Sequence, residues 1–430
     1  MTTDIPFAAF VGIDWADEQH AVALCLPDAR QYEPSDLMQR AEDLDEWVAQ
    51  LRTRFGGRPV AVCLEQSRGA LIYALMKYEC LVLFPINPKQ LASYRDSFKT
   101  SRAKDDPTDA RLLCQFLAER HSQLRPWRPD DETTRALRLL VEGRRRWVDQ
   151  RTALGNQLWQ QLKEVYPLAV TLAGAQVFAV GFLEMLVKFP SQKELQQASP
   201  KQLDHWLPKR RITTDEPSLE QQQRDGIAKL RAVPALVTDP AILQAGRLAV
   251  LSLAQMLQQL NQTIAQYDRD IAARLATHPD AELFQSLPGA GEVLVPRLIA
   301  AFGTDRERLE SAEDLQELSG IAPVTSRSGK TCTVRKRRAC PHFLRQTFHE
   351  FAGASIRFSR WAGAYYRMLR DRGTQHHAAV RALAFKWIRI IFHCWQQRTP
   401  YDEQRYLQQL TLKHAPLLAY LAPENSSSNP

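Results

Sequence analysis

The 430-residue sequence predicts an α/β domain at the N-terminus, a helical middle region with a coiled coil, and a mainly α-helical C-terminal domain. Three patterns support this fold class. Short apolar segments rich in β-formers alternate with helical stretches up to about residue 125. Apolar residues then recur at three- and four-residue steps in two long middle segments, and helical patterns dominate the remainder. A chain of this length is expected to form two or three domains.

The first 125 residues alternate between strand and helix patterns. The apolar segments FAAFVGID and HAVALCL are separated by the polar stretch WADEQ, which predicts a β-hairpin. The expected elements are strands at 7–14, 20–26, 59–65 and 81–86 and helices that begin near Gly69, Asn87 and Pro107. Strands followed by strand–helix alternation predict a mixed sheet, and the segment RPWRPDDE after it is typical of a linker.

Two long helices are expected in the middle region, over residues 133–166 and 241–276. Their apolar spacing suits an antiparallel coiled coil. The sequence between them forms an insertion whose elements the pattern does not assign. The expected domains are therefore 1–125, 126–280 with an insertion at about 167–238, 281–400, and a C-terminal tail at 401–430.

Composition predicts a soluble protein that binds a polyanion. The formal net charge of +8 and the pI near 9.1 favour a partner rich in phosphates. We expect no membrane span and no signal peptide, because no apolar segment approaches the required length and the N-terminus lacks a positive region. The expected location is therefore the cytoplasm. Seven scattered cysteines predict reduced, packed thiols rather than a disulfide framework.

Four carboxylates in the N-terminal domain are candidate metal ligands. Asp14 and Glu65 each end an apolar strand, where an acid is costly to bury without a cation or hydrogen-bond donors. The ends of neighbouring strands meet at one edge of the sheet, where open α/β sheets usually hold their sites. In the segment KDDPTDAR, Asp106 is a natural N-cap before Pro107, and Asp109 follows on the same helical face.

This set of oxygen donors suits Mg²⁺, which keeps several waters and bridges to substrate phosphates. A pair of such ions would orient the attacking group and stabilise the leaving oxygen in phosphoryl transfer. Two alternatives stay open from the residues alone. The aspartates could simply cap a helix beside ordinary strand-end acids, and Asp105 could be the ligand instead of Asp106.

A strongly basic loop lies in the C-terminal domain. Between Leu318 and His349 there is no Asp or Glu, while Lys and Arg supply a charge of +7. Its expected phosphate-binding residues are Arg327, Lys330, Arg335, Lys336, Arg337 and Arg338. Ser328 is a candidate nucleophile, because neighbouring cations stabilise charge at a phosphate and favour the alkoxide. The pair Ser328-Gly329 also fits an ordinary turn.

The order of these motifs resembles the one-ten family of insertion-sequence transposases. The motifs are GID (12–14), CLE (63–65), KDDPTDAR (104–111), a long helical middle, LPGAGE (287–292) and LSGIAPVTSRSGK (318–330). The resemblance covers nearly the whole chain, although the insertion at 167–238 is larger than in the family's shorter members. It implies a RuvC-like DEDD domain with a ribonuclease H fold, a coiled coil and a C-terminal transposase domain.

The resemblance also implies residue roles and partners. Asp14, Glu65, Asp106 and Asp109 would bind Mg²⁺, and Ser328 would form a covalent phosphoserine link to a DNA end, with Ser326 as a second candidate. Dimers would pair into tetramers in which one subunit's serine meets another's acids. A noncoding bridge RNA would base-pair with donor and target DNA. The expected activity is strand cleavage and exchange without net hydrolysis.

Two other functions are compatible with the same residues. A RuvC-like hydrolytic nuclease, such as a junction resolvase, would use water as the attacking group, and Ser328 would only bind phosphate. A non-catalytic scaffold would bind DNA or RNA through the basic loop. The presence of all four acids favours an enzyme over the scaffold.

Overall fold

The computed structural model describes residues 6–27, 29, 31–65, 68–97, 106–173, 176–203, 227–329, 331–414 and 416–421; for Asp106 it describes the backbone alone. The chain divides into two compact units, Met1–Asp130 and Asp131–Pro430. Each unit has its own buried core.

A five-stranded mixed sheet forms the centre of the first unit. Its strands are β1 (Ala9–Asp14), β2 (Gln19–Cys25), β3 (Glu33–Met38), β4 (Val60–Leu64) and β5 (Leu81–Pro85). The order across the sheet is β3-β2-β1-β4-β5. Strand β2 is antiparallel to both β1 and β3, whereas β1, β4 and β5 run parallel to one another. The predicted hairpin and mixed sheet are confirmed, and β3 is an addition.

Four helices cover the two faces of this sheet. They are α1 (Ala41–Phe55), α2 (Ala70–Leu75), α3 (Pro88–Asp96) and α4 (Asp106–Arg120). One face packs on α1 and α2 through side chains such as Val11 and Val62, and the other packs on α3 and α4 through Phe10 and Cys63. Because side chains alternate along a strand, every second residue of β1 and β4 points towards α4. The 3-10 turn His121–Gln123 follows α4.

Two long helices form the spine of the second unit. These are α5 (Glu132–Val165) and α10 (Pro240–Ala276), close to the predicted bounds. Arg151 Nη1 donates to Asn261 Oδ1 at 3.2 Å near the middle of the pair. The first turn of α5 meets His278 just beyond α10, while Gly246 near the start of α10 packs on Val165. The helices are therefore antiparallel, as predicted, and a coiled-coil supertwist stays a prediction.

Short helices occupy the described part of the insertion between these two. They are α6 (Pro167–Ala173), α7 (Val180–Lys188), α8 (Gln192–Gln197) and α9 (Pro200–Leu203), and residues 227–232 are also helical. Their apolar residues form a separate core with the adjoining parts of α5 and α10, which includes Leu162, Leu186 and Leu257. The insertion thus widens one end of the helix pair into a small helical subdomain.

The remainder of the second unit is mainly helical, as predicted. It contains α11 (Ala281–Gln285), α12 (Gly291–Phe302), α13 (Ala312–Leu318), α14 (His342–Phe358), α15 (Arg360–Asp371), α16 (His376–Gln397) and α17 (Glu403–Leu412), the hairpin β6 (Val324–Ser328) and β7 (Thr331–Arg335), and the 3-10 turn Pro416–Tyr420. Trp361, Trp387 and Trp395 are fully buried at its centre. Each indole N–H donates a hydrogen bond, which removes the cost of burying it. Helix α17 falls inside the segment that the sequence assigned to a C-terminal tail.

Helix α10 is also the one described helix whose length and mean hydropathy would suit a membrane span. The expectation that no segment has these properties is therefore wrong for α10. Its buried residues, such as Val250, Ala254 and Leu257, recur at three- and four-residue steps and join the core shared with α5 and α7. An apolar helix with packing partners along its length also forms the core of many globular units.

Candidate active site and nucleic-acid interface

Asp14 and Glu65 lie side by side at the carboxyl edge of the sheet. Asp14 is the last residue of β1, and Glu65 follows directly after β4. These strands are parallel, with Ile13 opposite Leu64, so the next positions along each strand are Asp14 and Glu65. Neighbouring strands are about 4.8 Å apart. The register therefore brings the two acids to adjacent positions, as the sequence predicted.

Both acids share the face of the sheet that α4 covers. Phe10 on β1 and Cys63 on β4 pack against α4, and Asp14 and Glu65 each lie an even number of residues further along their strand. Helix α4 approaches β1 so closely at Gly12 that a Cβ atom there would lie 2.1 Å from Ala110 O. The helix residue next to Ala110 is Asp109. The glycine thus lets α4, the helix that carries the third acid, pack directly on β1.

Asp109 is almost completely buried and is paired with a cation. Its side chain is 3% exposed, and its Oδ1 accepts a hydrogen bond from Arg95 Nη2 at 2.5 Å. Arg95 lies in the last turn of α3, and its own Nε has no hydrogen-bond partner among the described residues. Sequence analysis missed Arg95. Only its position on a helix that leads towards KDDPTDAR could have indicated it.

Asp106 is the fourth predicted metal ligand, and the structure describes its backbone alone. Asp106 is the first residue of α4, with Pro107 next in the helix, but its side chain lies outside the described residues, as does the alternative ligand Asp105. Within the described ranges no three Asp, Glu, His or Cys side chains form a group that could hold an ion. The carboxylates of Asp14, Glu65 and Asp109 nevertheless have the hard oxygen chemistry that divalent cations such as Mg²⁺ prefer.

The basic segment expected to be a loop is a β-hairpin. Strand β6 ends at Ser328, Gly329 lies in the turn that follows, and β7 begins at Thr331. Gly329 has φ +56, which favours glycine and suits the tight two-residue turns of hairpins. Lys330 lies outside the described residues. The sequence concealed the strands, because a polar hairpin without a buried face lacks the alternation that marks a strand.

The hairpin has two chemically different faces. Residues directly opposite each other in an antiparallel pair share a face. Ser328 pairs with Thr331 and Ser326 with Thr333, so one face presents four hydroxyl groups. The opposite face carries Thr325, Arg327, Cys332 and Val334. Ser328 is exposed and lies next to the turn, whereas Ser326 lies further from the tip on the same face.

Cations lie along this hairpin and directly after it. Arg327, Arg335, Lys336 and Arg338 are exposed, and none of them makes a salt bridge within the described part of the chain. Arg337 differs, because its Nη2 lies 3.5 Å from Glu317 Oε2. The predicted phosphate-binding residues with described side chains therefore cluster at the surface, with four of them available to an anion.

The segment SLPGAGE forms the turn between α11 and α12. Gly289 has φ +79 and Gly291 has φ +55, and a Cβ atom on Gly289 would lie 2.8 Å from Phe358 Cδ2. Both glycines are therefore required by the path of the chain. Two helices joined by such a turn have the outline of a helix-hairpin-helix element, and phosphate binding by its amides stays a prediction.

Two family models match this chain. One describes the DEDD transposase of IS110 elements and matches residues 11–167, a range that contains Asp14, Glu65, Asp106 and Asp109. The other describes the transposases of the IS116/IS110/IS902 family and matches residues 281–367, a range that contains Ser328. The two matches thus cover the acidic edge and the basic hairpin separately.

Three relatives match over longer ranges. A Streptomyces coelicolor protein named as a candidate transposase of the IS117 mini-circle is 30% identical over 92% of this chain and 96% of its own length. An uncharacterised 44.8 kDa protein of insertion element IS116 from Streptomyces clavuligerus is 28% identical over 67% of this chain and 70% of its own length. An uncharacterised 42 kDa protein of IS900 from Mycobacterium paratuberculosis is 26% identical over 89% of this chain and 94% of its own length.

Proposed function

Since this chain belongs to the IS110 family of transposases, the one-ten family that its motifs resemble, we propose that it cleaves and rejoins DNA through a serine–DNA phosphodiester intermediate. The observation that carries an enzymatic role is the side-by-side register of Asp14 and Glu65 beneath α4. A scaffold would not need acids at the ends of two neighbouring strands and a third, buried acid, Asp109, on the helix that covers one of those strands. The proposed location is the cytoplasm.

The acidic edge is proposed to hold Mg²⁺ through Asp14, Glu65, Asp106 and Asp109. When bound, such ions polarise a phosphoryl oxygen and neutralise charge that develops on it. The residues themselves supply the cradle: two strand ends hold two carboxylates, and α4 brings the others. The Arg95 guanidinium, which donates to Asp109 Oδ1, competes with a metal ion for that carboxylate. The strand order β3-β2-β1-β4-β5 supports a RuvC-like, ribonuclease H fold for this domain.

Ser328 is proposed as the nucleophile. Its Oγ loses its proton and forms a bond to the scissile phosphorus, the bond from phosphorus to the departing sugar oxygen breaks, and that oxygen takes up a proton, so that no proton is gained or lost overall. One phosphodiester replaces another, so the reverse attack by a second DNA end rejoins the strand without an external energy source. Ser328 is exposed at the hairpin tip, and the same hairpin carries the exposed cations Arg327 and Arg335, which supports this role.

The assembly is proposed to be a tetramer, formed by two paired dimers, in which one subunit's serine meets another's acids, guided by a bridge RNA. The exposed cations of the basic hairpin support contacts with a polynucleotide backbone. In this proposal, base pairing between the guide RNA and DNA reads the DNA sequence. The proposed domains are 1–125, 126–280 with the insertion at 167–238, 281–400, and the tail 401–430, with α5 and α10 as a coiled coil. Sequencing of nucleic acid that copurifies with the chain tests the guide. A heterogeneous mixture without one discrete structured RNA would contradict it.

A trapping experiment tests the serine. The full chain is incubated with suicide DNA substrates and Mg²⁺, and covalent adducts are identified by mass spectrometry. We expect an adduct that is lost in Ser328→Ala and kept in Ser326→Ala, a matched control on the same hairpin face. Mg²⁺-dependent cleavage without any adduct would instead identify a hydrolytic nuclease. Cleavage that is unchanged in Asp14→Asn would overturn the role of the acids.

A further inference from the structure

A large open groove lies on the second unit, between α16, α17 and the hairpin. Its volume is about 1160 Å³, slightly above the range of roughly 300–1,000 Å³ typical of small-molecule sites. The floor is α16, and Val334 of β7 forms part of one wall. Val334 lies on the face of the hairpin opposite Ser328, so the groove is separate from the proposed nucleophile.

The groove is lined by unpaired cations. Arg381, Lys386, Arg389 and Arg405 contribute to the lining, against a single carboxylate, that of Asp402. Asp402 Oδ1 already accepts the amide of Arg405 as the N-cap of α17. Within the described ranges none of the four cations makes a salt bridge. Burial, and to a smaller extent the charge of Arg389, lower the pKa of the Lys386 ammonium.

Aromatic rings share the lining with these cations. The rings of Tyr365, Phe385 and Tyr406 are half-buried in the lining, and Lys386 Nζ lies 4.5 Å from the centroid of the Tyr365 ring. Cations that alternate with ring faces are the arrangement with which proteins bind single-stranded nucleic acid, since phosphates meet the cations and bases stack on the rings. A duplex hides its base faces and would use only the cations.

We propose that this groove binds a short run of unpaired DNA. Charge complementarity selects a polyanion, and the rings select exposed bases. DNA is the occupant because transposases act on DNA, so the proposal rests on the proposed function for the class of its partner. It does not depend on Ser328 or on the four acids. Strand exchange leaves DNA unpaired next to the site of cleavage, and the groove would hold such a strand while the hydroxyl face of the hairpin stays free.

The test uses the full chain and a fluorescent oligo-dT strand. Arg389→Gln combined with Arg405→Gln removes two exposed cations of the groove, and Arg274→Gln on α10 is the matched control, an exposed arginine outside the lining. Each phosphate contact contributes about 0.7 to the slope of log affinity against log salt for single strands. We expect the double variant to lower that slope by about 1.4 and to weaken binding at least tenfold at low salt, while the control stays at the wild-type value.

A second readout concerns the rings. An oligo-dT strand that contains 2-aminopurine is expected to lose fluorescence on binding, because the base stacks, and Phe385→Leu should reduce that loss while keeping an apolar side chain. Oligo-U that binds more tightly than oligo-dT would replace DNA by RNA as the occupant and overturn the proposal as stated. Unchanged DNA binding and fluorescence quenching in all groove variants, together with a normal serine adduct, would overturn the proposal for the groove and leave the proposed function intact. Failure of the wild-type chain to bind single-stranded or duplex DNA would overturn both this proposal and the proposed function.

Discussion

Replacing Gly12 with alanine measures how tightly α4 is held on the sheet. A Cβ atom there would lie 2.1 Å from Ala110 O and 2.3 Å from Cys114 N. Both are backbone atoms of a helix, which cannot rotate aside as the end of a flexible side chain can. Real Cβ contacts essentially never fall under 3.0 Å, so α4 would have to move outward by about 0.9 Å, the difference between 3.0 and 2.1 Å.

That displacement has a cost in stability and in function. It loosens the contacts of buried residues on α4, such as Leu113 and Leu117. Overpacking a core costs about 1–3 kcal/mol, and clashes with two backbone atoms place this substitution near 3 kcal/mol. For a unit of this size the expected fall in Tm is roughly 10 °C. Asp109 moves with the helix, so DNA cleavage should fall as well.

Differential scanning calorimetry of the full chain is the assay, with Gly353→Ala as the control. Gly353 lies within α14, where a Cβ atom would meet only Val380 Cγ1 at 4.0 Å. That control is expected to be neutral or to stabilise by up to about 1 kcal/mol, because alanine suits a helix better than glycine. A Gly12→Ala chain whose Tm stays within about 2 °C of the wild type would refute the close packing of α4 on β1.

Three further outcomes are expected. Burial raises the pKa of Asp131, but hydrogen bonds from Thr134 and Thr304 outweigh it and lower that pKa from 3.8 to about 2. The stability it contributes is present above pH 3.8 and lost as the pH falls through about 2. Asp131 is exposed and caps α5, so Asp131→Ala should lower the free energy of unfolding by about 1 kcal/mol near neutral pH and by almost nothing near pH 2. Urea unfolding at the two pH values measures both losses, and equal losses would contradict this. Burial, and then the charges of His377 and Arg381, lower the pKa of His349 below 6.5, with His376 also nearby. The stability that neutral His349 contributes is present above pH 6.5 and is lost as the pH falls through the lowered pKa. The wild type should therefore lose more stability than His349→Gln between about pH 7.5 and about pH 5.5. Equal losses in the two proteins would disprove the role of His349. Arg95→Met should destabilise the chain by about 3 kcal/mol without metal, because it leaves the buried carboxylate of Asp109 without its cation. It should also increase the rise in Tm caused by Mn²⁺, because the ion no longer competes with the guanidinium. Arg52→Met is the control, and an unchanged metal effect in Arg95→Met would show that Arg95 does not compete with a metal ion for Asp109.

Sequence patterns predicted the elements that bury an apolar face. Strands β1, β2, β4 and β5 and the long helices α5 and α10 all have dense apolar periodicity, so their bounds agree with the structure to within a few residues. Strand β3 was not predicted, because its sequence EPSDLM contains proline and is mostly exposed. It lies at the edge of the sheet, where pairing to β2 alone suffices to hold it.

The residues of the candidate site also fall into two groups, those that local sequence patterns predict and those that depend on tertiary packing. Asp14 and Glu65 could be predicted because each follows an apolar strand, and the register of two parallel strands then makes them neighbours. Arg95 could not be predicted, because its pairing with Asp109 depends on how α3 and α4 pack rather than on any local pattern. The basic groove could not be predicted either. Its cations come from α16 and α17, which only tertiary packing brings to one lining.

The alternation of side chains in the hairpin restricts how its length can change. Ser328 and Val334 lie on opposite faces only because of the number of residues that separate each from the turn. Inserting or deleting one residue in β6 would exchange its faces, turning the serines towards the groove and Arg327 away from it. Changes of two residues preserve the arrangement. Among relatives that keep both the serine and the groove, strand lengths in this hairpin should therefore differ by even numbers of residues.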